Sequence, residues 1–525
     1  MRKQAVIFSF VLFGILLLSG VFVYAWRSRR AEIDKYNSIE RPPEISPDYS
    51  SMVIPPNIAP LNFMVQERGT SYFTKIYSAK GKPIKISSRS PKIIIGKNAW
   101  HKLLEDNKGE KLYFDIFVKK DKEGWVRFGT IANRIAGEEV DGFVVYRRMH
   151  PTHTMTRGPV GIYQRDLSSF DERAVLDNHG YVGMCLNCHS FSANRPDRVL
   201  MGVRSNTKGA KTLLLKGDEV IKIGAKFGYT AWHPSGNIAV YSINNLPMFF
   251  HTAGEEVRDT IDLDSTLAYF VAGSRTIKTT PEISRKDRLE TWPAWSGDGR
   301  YLYFCSTKIT WAGQEKFPPD GYDKVKYDLV RISYDVEKDK WGQVETVLSS
   351  KDTGFSIAMP RISPDGRWLV FCMCKYGYFP PWEKNSDLYI MDLKSAEESG
   401  RYEYRRLDIS SDHSEGWHSW SSNSRWIVFS SKKEQGSFTR CYISYVDKMG
   451  SVHKPLVLPQ KNPEFYDFCL ETFNTPEFVT GPIKADAKGL MRVMNGDDEI
   501  SVTIPITGAT PSAETKPKTG QPWRE

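Results

Sequence analysis

Five consecutive residues have the types and the spacing to carry chemistry: Cys185, Leu186, Asn187, Cys188 and His189. Two thiols separated by two residues and followed at once by a histidine are typical of covalent haem attachment. The two cysteines can bond to one porphyrin, and the histidine can ligate its iron from one side. The sequence therefore predicts haem c held by Cys185 and Cys188, with His189 as the proximal iron ligand.

Two other interpretations of the cysteine pair are weaker. Half of a zinc site would need a second Cys-x-x-Cys or a His-x(3–5)-His at finger-like spacing, and none follows the pair at that spacing. A thioredoxin-like redox pair would need a βαβ context and no histidine directly after it. The flanking sequence is short and turn-rich, so haem attachment remains the favoured interpretation.

A sixth iron ligand would come from a histidine or a methionine near the motif. His153 and His150 rank first, because one loop could bring either of them over the iron. His179 and then Met201 follow. An open or water-ligated iron is left as an alternative.

The first thirty residues contain an uncharged apolar run from Ala5 to Trp26, which is long enough to cross a bilayer as one helix. A cleaved signal peptide is the alternative, but no clear cleavage site is visible. Haem attachment takes place outside the cytoplasmic membrane. We therefore expect a single-pass anchor in the cell inner membrane, with the bulk of the chain in the periplasm.

The composition favours many short strands and turns, with 13% aromatic residues, 39 glycines and 30 prolines. The formal net charge of +10 is modest for 525 residues and forms no basic stripe, so nucleic acid is not an expected partner.

A repeat follows the haem motif. Four segments align, each with a strand, a tight turn and a second strand, and the aligned second positions are Trp232, Trp295, Ile362 and Trp420. Residues of the Pro-Asp-Gly type supply the turn of each hairpin. Four strands per unit are what a propeller blade needs, and blades must stack to cover their faces. The segments that enter each repeat should line a central channel; they contain Glu290, Trp292, Met359, Glu415, Trp417 and His418.

These patterns predict a mostly β chain with six parts. They are a membrane anchor (1–30), a stalk (31–60), a β-sandwich-like domain (61–150), a haem-binding connector (151–190), a β-propeller of five or six blades (191–483) and a C-terminal tail (484–525).

Residues 229–458 resemble the propeller of the TolB family, whose Ser-Pro-Asp-Gly-Arg core is whole at Ser363 to Arg367. The Cys-x-x-Cys-His motif is similar to those of c-type cytochromes. Together the resemblances imply a membrane-anchored periplasmic monohaem cytochrome that transfers electrons to or from a redox partner protein. The alternatives are a haem-dependent oxidoreductase with substrate in the propeller funnel, and a TolB-like envelope scaffold with a structural haem. Whether the chain is an enzyme is left open.

Overall fold

The computed structural model describes residues 33–150, 158–179, 184–206, 208–251, 258–311, 316–434 and 436–500; for Asn187 and Cys188 it describes the backbone alone. Within these ranges no helix is both long and apolar enough to cross a membrane. The predicted anchor from Ala5 to Trp26 lies outside the described residues, as does the candidate iron ligand His153.

The described chain is mostly β, as predicted. The first part contains one helix, α1 (Lys97–Glu105), and ten strands: β1 (Asn37–Ser38), β2 (Ile45–Ser46), β3 (Val53–Ile54), β4 (Phe63–Val65), β5 (Ser71–Tyr77), β6 (Ile84–Ser88), β7 (Lys92–Ile93), β8 (Lys111–Lys120), β9 (Gly124–Arg127) and β10 (Ile131–Ile135). They form a seven-stranded sheet and a three-stranded sheet, β2-β4-β7. The path of the larger sheet is β1-β9-β8-β10-β3; β5 also pairs with β8, and β6 pairs with β5.

Alternating burial explains how these strands pack. In β10, Ile131, Asn133 and Ile135 are buried whereas the two residues between them are exposed, which is the period-two pattern of a strand with one covered face. The buried amide of Asn133 donates to the Tyr49 carbonyl at 2.9 Å and accepts from the Met52 amide at 2.8 Å. The inward polar side chain is therefore satisfied and fixes the segment that follows β2.

The remainder of the chain continues through short strands. The next fifteen are β11 (Phe143–Met149), β12 (Val160–Asp166), β13 (Glu172–Asp177), β14 (Met184–Phe191), β15 (Arg198–Ser205), β16 (Gly209–Lys216), β17 (Glu219–Ile223), β18 (Thr230–Trp232), β19 (Ile238–Asn245), β20 (Met248–Phe250), β21 (Arg258–Thr260), β22 (Asp264–Val271), β23 (Thr276–Lys278), β24 (Arg288–Trp295) and β25 (Tyr301–Lys308).

The last eleven strands and four helices are β26 (Asp328–Asp335), β27 (Lys340–Leu348), α2 (Ser350–Thr353), β28 (Ser356–Ile362), β29 (Trp368–Cys374), β30 (Asp387–Asp392), α3 (Leu393–Ser399), β31 (Tyr404–Arg406), β32 (Glu415–Trp420), β33 (Trp426–Ser431), β34 (Arg440–Tyr445), β35 (Leu456–Val457), α4 (Phe465–Phe468), β36 (Thr472–Val479) and α5 (Ala487–Asn495). Two short 3-10 helices lie at Tyr322–Lys324 and Pro380–Trp382.

Most of these strands belong to four-stranded antiparallel sheets. In the described ranges the sheets are β14-β15-β16-β17, β18-β19-β22-β23, β24-β25-β26-β27, β28-β29-β30-β31, β32-β33-β34-β35 and β36-β11-β12-β13. The first strand of each sheet contacts the first strand of the next, and β36 contacts both β32 and β14. Stacked four-stranded sheets of this kind are typical of a β-propeller.

The repeated hairpins owe their turns to the residues that mark the repeat. In the second aligned segment the Ser296 hydroxyl donates to Asp298 at 2.7 Å, and Asp298 accepts from the Arg300 amide at 3.0 Å. Gly299 then takes a φ of +75°, where a Cβ would be strained. Because the same pattern occurs at Ser363 and Asp365, the turns have a common origin in the sequence.

One strand lies in a different sheet from the one that the sequence suggested. Phe143–Met149 falls within the range predicted for the β-sandwich-like domain, whereas in the structure it pairs along its length with β36. Helix α5, within the range predicted as a tail, packs against β13, β16 and β17 and buries Leu490, Met491 and Met494. The β36-β11 pairing joins segments more than 300 residues apart, and no local sequence pattern encodes such a partner.

A candidate ligand site in the central channel

A bulge recurs in the first strands of the sheets. Pairing with the second strand shifts between Leu186 and His189, between Thr291 and Ala294, between Ala358 and Arg361, and between Gly416 and Ser419; β36 shows the same shift where it pairs with β11. The backbone is left-handed at Trp292, Met359, Trp417 and Thr475, with φ between +50° and +55°. Such bulges bend a strand and re-aim the side chain that follows.

The residue directly after each bulge lies beside one or both of two adjoining cavities. We call this set the level residues, with Ala231 included because the repeat aligns it with Ala294: His189, Ala231, Ala294, Arg361, Ser419 and Glu477. The two alanines leave space on one side of the channel. The polar level residues occupy the rest.

Two cavities meet at this level. The mouth cavity has a volume of about 260 Å³, and Trp232, Trp295 and Trp420 are among its lining residues. The inner cavity, of about 30 Å³, lies against His189, Tyr229, Met359, Trp417 and His418. Thr230, Arg361, Ser419 and Glu477 line both cavities and so form the floor of the first and the roof of the second.

Two of the three tryptophans of the mouth cavity are held by their indole nitrogens, whereas Trp295 Nε1 has no hydrogen-bond partner among the described residues. Trp232 Nε1 donates to the Ser190 carbonyl at 3.1 Å, and Trp420 Nε1 donates to the Arg361 carbonyl at 3.0 Å. Each bond links two neighbouring sheets across the channel mouth. The wall is therefore rigid as well as apolar, which favours binding of a ring or another flat apolar group.

Aromatic side chains close the channel below the level residues. The Tyr229 and Trp292 rings stack with centroids 3.4 Å apart, and Trp417 meets the Trp292 ring edge-on at 5.5 Å. Trp292 Nε1 donates to the Tyr378 carbonyl at 2.9 Å. These rings therefore pack around the inner cavity, whose lining includes Tyr229 and Trp417.

His189 and Glu477 are neighbours on adjacent sheets, with His189 Nε2 lying 3.7 Å from Glu477 Oε1. Burial, together with the nearby charge of Arg147, lowers the pKa of His189 to about 3, so its imidazole is neutral at pH 7. Burial raises the pKa of Glu477 to about 7, against the opposing effects of the Phe191 amide and Arg361. The contact is therefore not an ion pair near neutrality.

The structure brings some of the predicted haem residues together. Cys185 is buried in β14 opposite Arg204, and burial raises the pKa of its thiol against the charges of Arg147, Arg204 and Lys226. His189 follows in the same strand with its side chain fully buried, and neither ring nitrogen has a hydrogen-bond partner among the described residues. The Cys188 side chain lies outside the described part of the structure.

The candidates for a sixth ligand are scattered. His150 is half-buried at the end of β11, His179 is exposed, and Met201 is buried in the hydrophobic core with Met184 and Leu186. Within the described ranges no three His, Cys, Asp or Glu side chains come together as a metal-binding group.

Of the residues predicted to line the channel, Met359, Trp417 and His418 line the inner cavity, and Trp292 packs against Tyr229 and Trp417 there. Arg361 and Glu477 were missed. A sequence signal for them exists, because Thr-Pro-Glu-Phe at 475–478 matches Met-Pro-Arg-Ile at 359–362 and Trp-Pro-Ala-Trp at 292–295. The third letter of each tetrapeptide is a level residue.

No family model matches this chain, and no curated protein matches it. The structure is similar to an oligogalacturonate lyase from Vibrio parahaemolyticus, with 10% identity and a TM-score of 0.34 over 73% of this chain and 100% of the other. It is also similar to prolyl oligopeptidase B from Galerina marginata, with 11% identity and a TM-score of 0.33 over 66% of this chain and 42% of the other. A third likeness is to the hydrazine synthase of Kuenenia stuttgartiensis, with 14% identity and a TM-score of 0.28 over 50% of this chain and 64% of the other.

Likenesses this distant assign no reaction or substrate to this chain. The predicted function is nevertheless contradicted, since the first two of these neighbours are named as an oligogalacturonate lyase and a prolyl oligopeptidase. The prediction of an electron-transferring monohaem cytochrome is therefore wrong, and the haem-dependent oxidoreductase and the TolB-like scaffold are withdrawn with it. The resemblance to TolB is supported only as far as a propeller-like fold.

Proposed function

We propose that the six four-stranded sheets form a closed six-bladed propeller that binds a small organic ligand in its channel mouth. The cycle of contacts from β14 through β18, β24, β28 and β32 to β36, and back to β14, supports the closed ring. The observation that carries the binding proposal is the mouth cavity of about 260 Å³ with a polar floor. Concave sites with apolar walls and a few convergent polar groups are the usual form of a ligand pocket.

The chemistry of the cavity favours a ligand with one polar end. Three tryptophans supply an apolar wall, while the guanidinium of Arg361, the hydroxyl of Ser419 and the carboxyl of Glu477 converge on the floor. Two of these floor groups are already fixed: Ser419 Oγ donates to the Pro476 carbonyl at 3.0 Å, and Glu477 Oε2 accepts from the Phe191 amide at 3.2 Å. A floor with fixed polar groups loses little conformational entropy when it binds a ligand.

Filling the cavity tests the proposal. A library of small organic molecules is screened by thermal shift against the native protein and the Ala231→Leu variant, whose larger side chain occupies part of the mouth cavity. Ala174→Leu, on the outer strand β13, is the matched control. We expect hits that raise the Tm of the native and control proteins but not of Ala231→Leu. A screen in which every hit raises the Tm of Ala231→Leu equally would contradict the proposal.

We also propose that Cys185 and Cys188 hold haem c, with His189 as an iron ligand, and we assign no reaction to it. The support is the buried His189 ring, whose two nitrogens lack hydrogen-bond partners among the described residues. Arg147, Arg204 and Lys226 place positive charge around Cys185, which suits the propionates of a haem. The inner cavity is smaller than a porphyrin, so haem would replace the present packing of His189 rather than enter that cavity. When bound, it would supply an iron centre.

A pyridine haemochrome spectrum of the protein, expressed with the haem-attachment machinery, tests this second proposal. We expect a c-type spectrum in the native protein, and its loss in a Cys185→Ser/Cys188→Ser double variant. The Cys469→Ser variant, which changes a partly exposed cysteine elsewhere, should keep the spectrum. Native protein without covalent haem under these conditions would refute the proposal.

We propose further that residues Ala5 to Trp26 anchor the chain in the inner membrane with its bulk in the periplasm. The uncharged apolar run supports this placement. Fractionation followed by protease treatment of spheroplasts should find the chain in the membrane fraction and digested from outside. A protected chain would contradict it. A redox partner protein stays a prediction.

A further inference from the structure

One face of the seven-stranded sheet points away from the core of the first part of the chain. In β5 the residues Tyr72, Thr74 and Ile76 point into that core and are at most 4% exposed, so the residues between them point outward. Directly paired residues share a face, and the pairing of β5 with β6 and β8, and of β8 with β9, extends the outward set across four strands. We call this set the outer face: every second residue of 71–77, 85–87, 111–119 and 125–127.

The outer face is strongly basic. Its charged residues are five cations and one carboxylate: Lys75, Lys85, Lys111, Lys119, Arg127 and Asp115. The carboxylate lies 2.9 Å from the guanidinium of Arg127, and the net charge of the face is +4. The Lys-Asp-Lys-Glu segment at 120–123 is neutral as a whole and leaves this charge unchanged. The cations are scattered along the sequence, and only the strand pairing gathers them.

Aromatic rings lie between the cations. Tyr77 and Tyr113 stack with their centroids 5.3 Å apart, and Lys75 Nζ lies 5.5 Å from the centroid of the Tyr77 ring. Trp125 lies opposite Lys119 in the pairing of β8 with β9. All three rings are partly exposed. Amphipathic rings and basic side chains together are typical of a protein surface at a membrane, where the rings lie at the level of the headgroups and the cations attract anionic lipid.

The described chain begins on this same face. The Tyr36 ring packs edge-on against Phe117 of the outer face, with centroids 5.2 Å apart, and β1 then pairs with β9. Tyr36 follows Trp26, the last residue of the proposed anchor, by ten residues. A fully extended chain spans at most about 3.6 Å per residue, so Tyr36 lies no more than about 36 Å from Trp26. An anchor that ends at Trp26 therefore keeps the outer face close to the membrane.

Resting on the membrane anchor proposed above, we propose that the outer face docks on the anionic phospholipid headgroups of the membrane that holds the anchor. The lipid phosphates pair with the lysines, and Tyr77, Tyr113 and Trp125 lie among the headgroups. Each Lys or Arg near an anionic membrane surface favours docking by about fivefold. The covalent connection to the anchor also raises the effective concentration of headgroups at this face. A nucleic acid or an acidic polysaccharide offers anionic groups too, but the anchor brings neither of them to the outer face.

Lysine acetylation of the full chain in lipid nanodiscs tests the proposal. The native protein is inserted into discs of phosphatidylcholine and into discs that also contain phosphatidylglycerol, and mass spectrometry gives the acetylation rate of each lysine. Lys85 and Lys119, both exposed, should react at least about fivefold more slowly in the anionic discs. Lys394, exposed on α3 of the propeller-like part, should react equally in both. Salt at about 1 M, where the Debye length is about 3 Å, should abolish the difference.

A double variant tests whether the charge of the face causes the protection. Lys75→Gln/Lys85→Gln should weaken docking about 25-fold, at about fivefold for each lysine, and so restore fast acetylation of Lys119 in the anionic discs. Lys338→Gln/Lys394→Gln, which removes two exposed lysines elsewhere, is the matched control and should leave Lys119 protected.

The outcomes separate docking from anchoring. If the chain enters the discs but Lys85 and Lys119 react equally in both lipids, the anchor stands and the docking inference is overturned. Protection of Lys119 that persists in Lys75→Gln/Lys85→Gln overturns it too. So does protection in phosphatidylcholine discs by inorganic phosphate or alginate, which would assign the face to a free anion or an acidic polysaccharide. If the chain does not enter the discs, the inference fails together with the anchor. The comparison of lipids uses the native protein and holds even if the double variant does not fold.

Discussion

A buried carboxyl in β24 should make the stability of this protein depend on pH. Glu290 is 1% exposed, and its Oε2 accepts from the Arg285 amide at 3.2 Å. Burial raises its pKa from 4.5 to about 8, although that amide and the charges of Arg288 and Arg285 oppose the rise. The folded protein therefore keeps Glu290 protonated at neutral pH.

The sign of the effect follows from the raised pKa. Below pH 4.5 the carboxyl is protonated in both the folded and the unfolded states, and its contribution to stability is complete. As the pH rises from 4.5 to about 8, the unfolded chain releases its proton while the folded protein retains it, so the unfolding free energy falls. Each pH unit between the two pKa values lowers the unfolding free energy by about 1.4 kcal/mol. The rise from 4.5 to about 8 therefore amounts to about 4 to 5 kcal/mol.

Glu290→Gln removes this titration and keeps an oxygen that can accept from the Arg285 amide. Urea denaturation at pH 5, 7 and 9 measures the difference in unfolding free energy between the variant and the native protein. We expect that difference to move by about 4 kcal/mol between pH 5 and pH 9, in favour of the variant. The exposed Glu337→Gln is the matched control and should show no such change. A difference for Glu290→Gln that stays constant with pH would refute the reasoning.

Three further predictions concern packing and hydrogen bonds. Arg440 donates hydrogen bonds to the Glu471 and Cys469 carbonyls at 2.6 and 2.7 Å, and Arg440→Met removes both. The unfolding free energy measured in urea should fall by about 3 kcal/mol. A loss under about 1 kcal/mol would contradict this prediction. Gly299→Ala should lower the Tm more than Gly321→Ala. Both glycines have positive φ, but only at Gly299 would a Cβ come within 2.2 Å of the His233 ring. Equal losses of Tm in the two variants would contradict this prediction. Asn194→Ala removes bonds to the Trp420 and Phe478 carbonyls, both 2.9 Å, and should cost about 2 kcal/mol by chemical denaturation; an unchanged midpoint would contradict it.

The repeat was readable from the sequence because its signals are local. In two of the four turns a serine, an aspartate and a glycine form the turn through side-chain and backbone bonds two to five residues apart, as at Ser363. In the fourth, Asn423 replaces the aspartate and Ser424 the glycine. A continuous apolar run then forms the strand, as in Trp368–Cys374. A mostly β chain with propeller-like sheets could therefore be predicted, whereas the partner of each strand could not. Phe143–Met149 has the pattern of a strand in any sheet, and only tertiary packing assigns it to β36.

The site was harder to predict for a related reason. The level residues share a position in the repeat and not a residue type, so a search for reactive side chains passes over Arg361 and Glu477. The haem-like motif attracted attention because its residues are adjacent, yet Asn187 and Cys188 also occupy the bulge that recurs as Trp292-Pro293 and Met359-Pro360. Position in the repeat identified more of the site than residue chemistry did.

The pairing of β36 with β11 has a consequence for the growing chain on the ribosome. The Thr472 hydroxyl donates to the Met149 carbonyl, 323 residues earlier. At a synthesis rate of roughly 5 to 20 residues per second, β11 waits about 15 to 65 seconds for its neighbour to be made. Throughout that time its edge offers unpaired amides and carbonyls to any other strand nearby. Within this sheet, β11 is the strand that is synthesised first and is open to mispairing for longest. A chaperone that covers β11 during synthesis would prevent such mispairing.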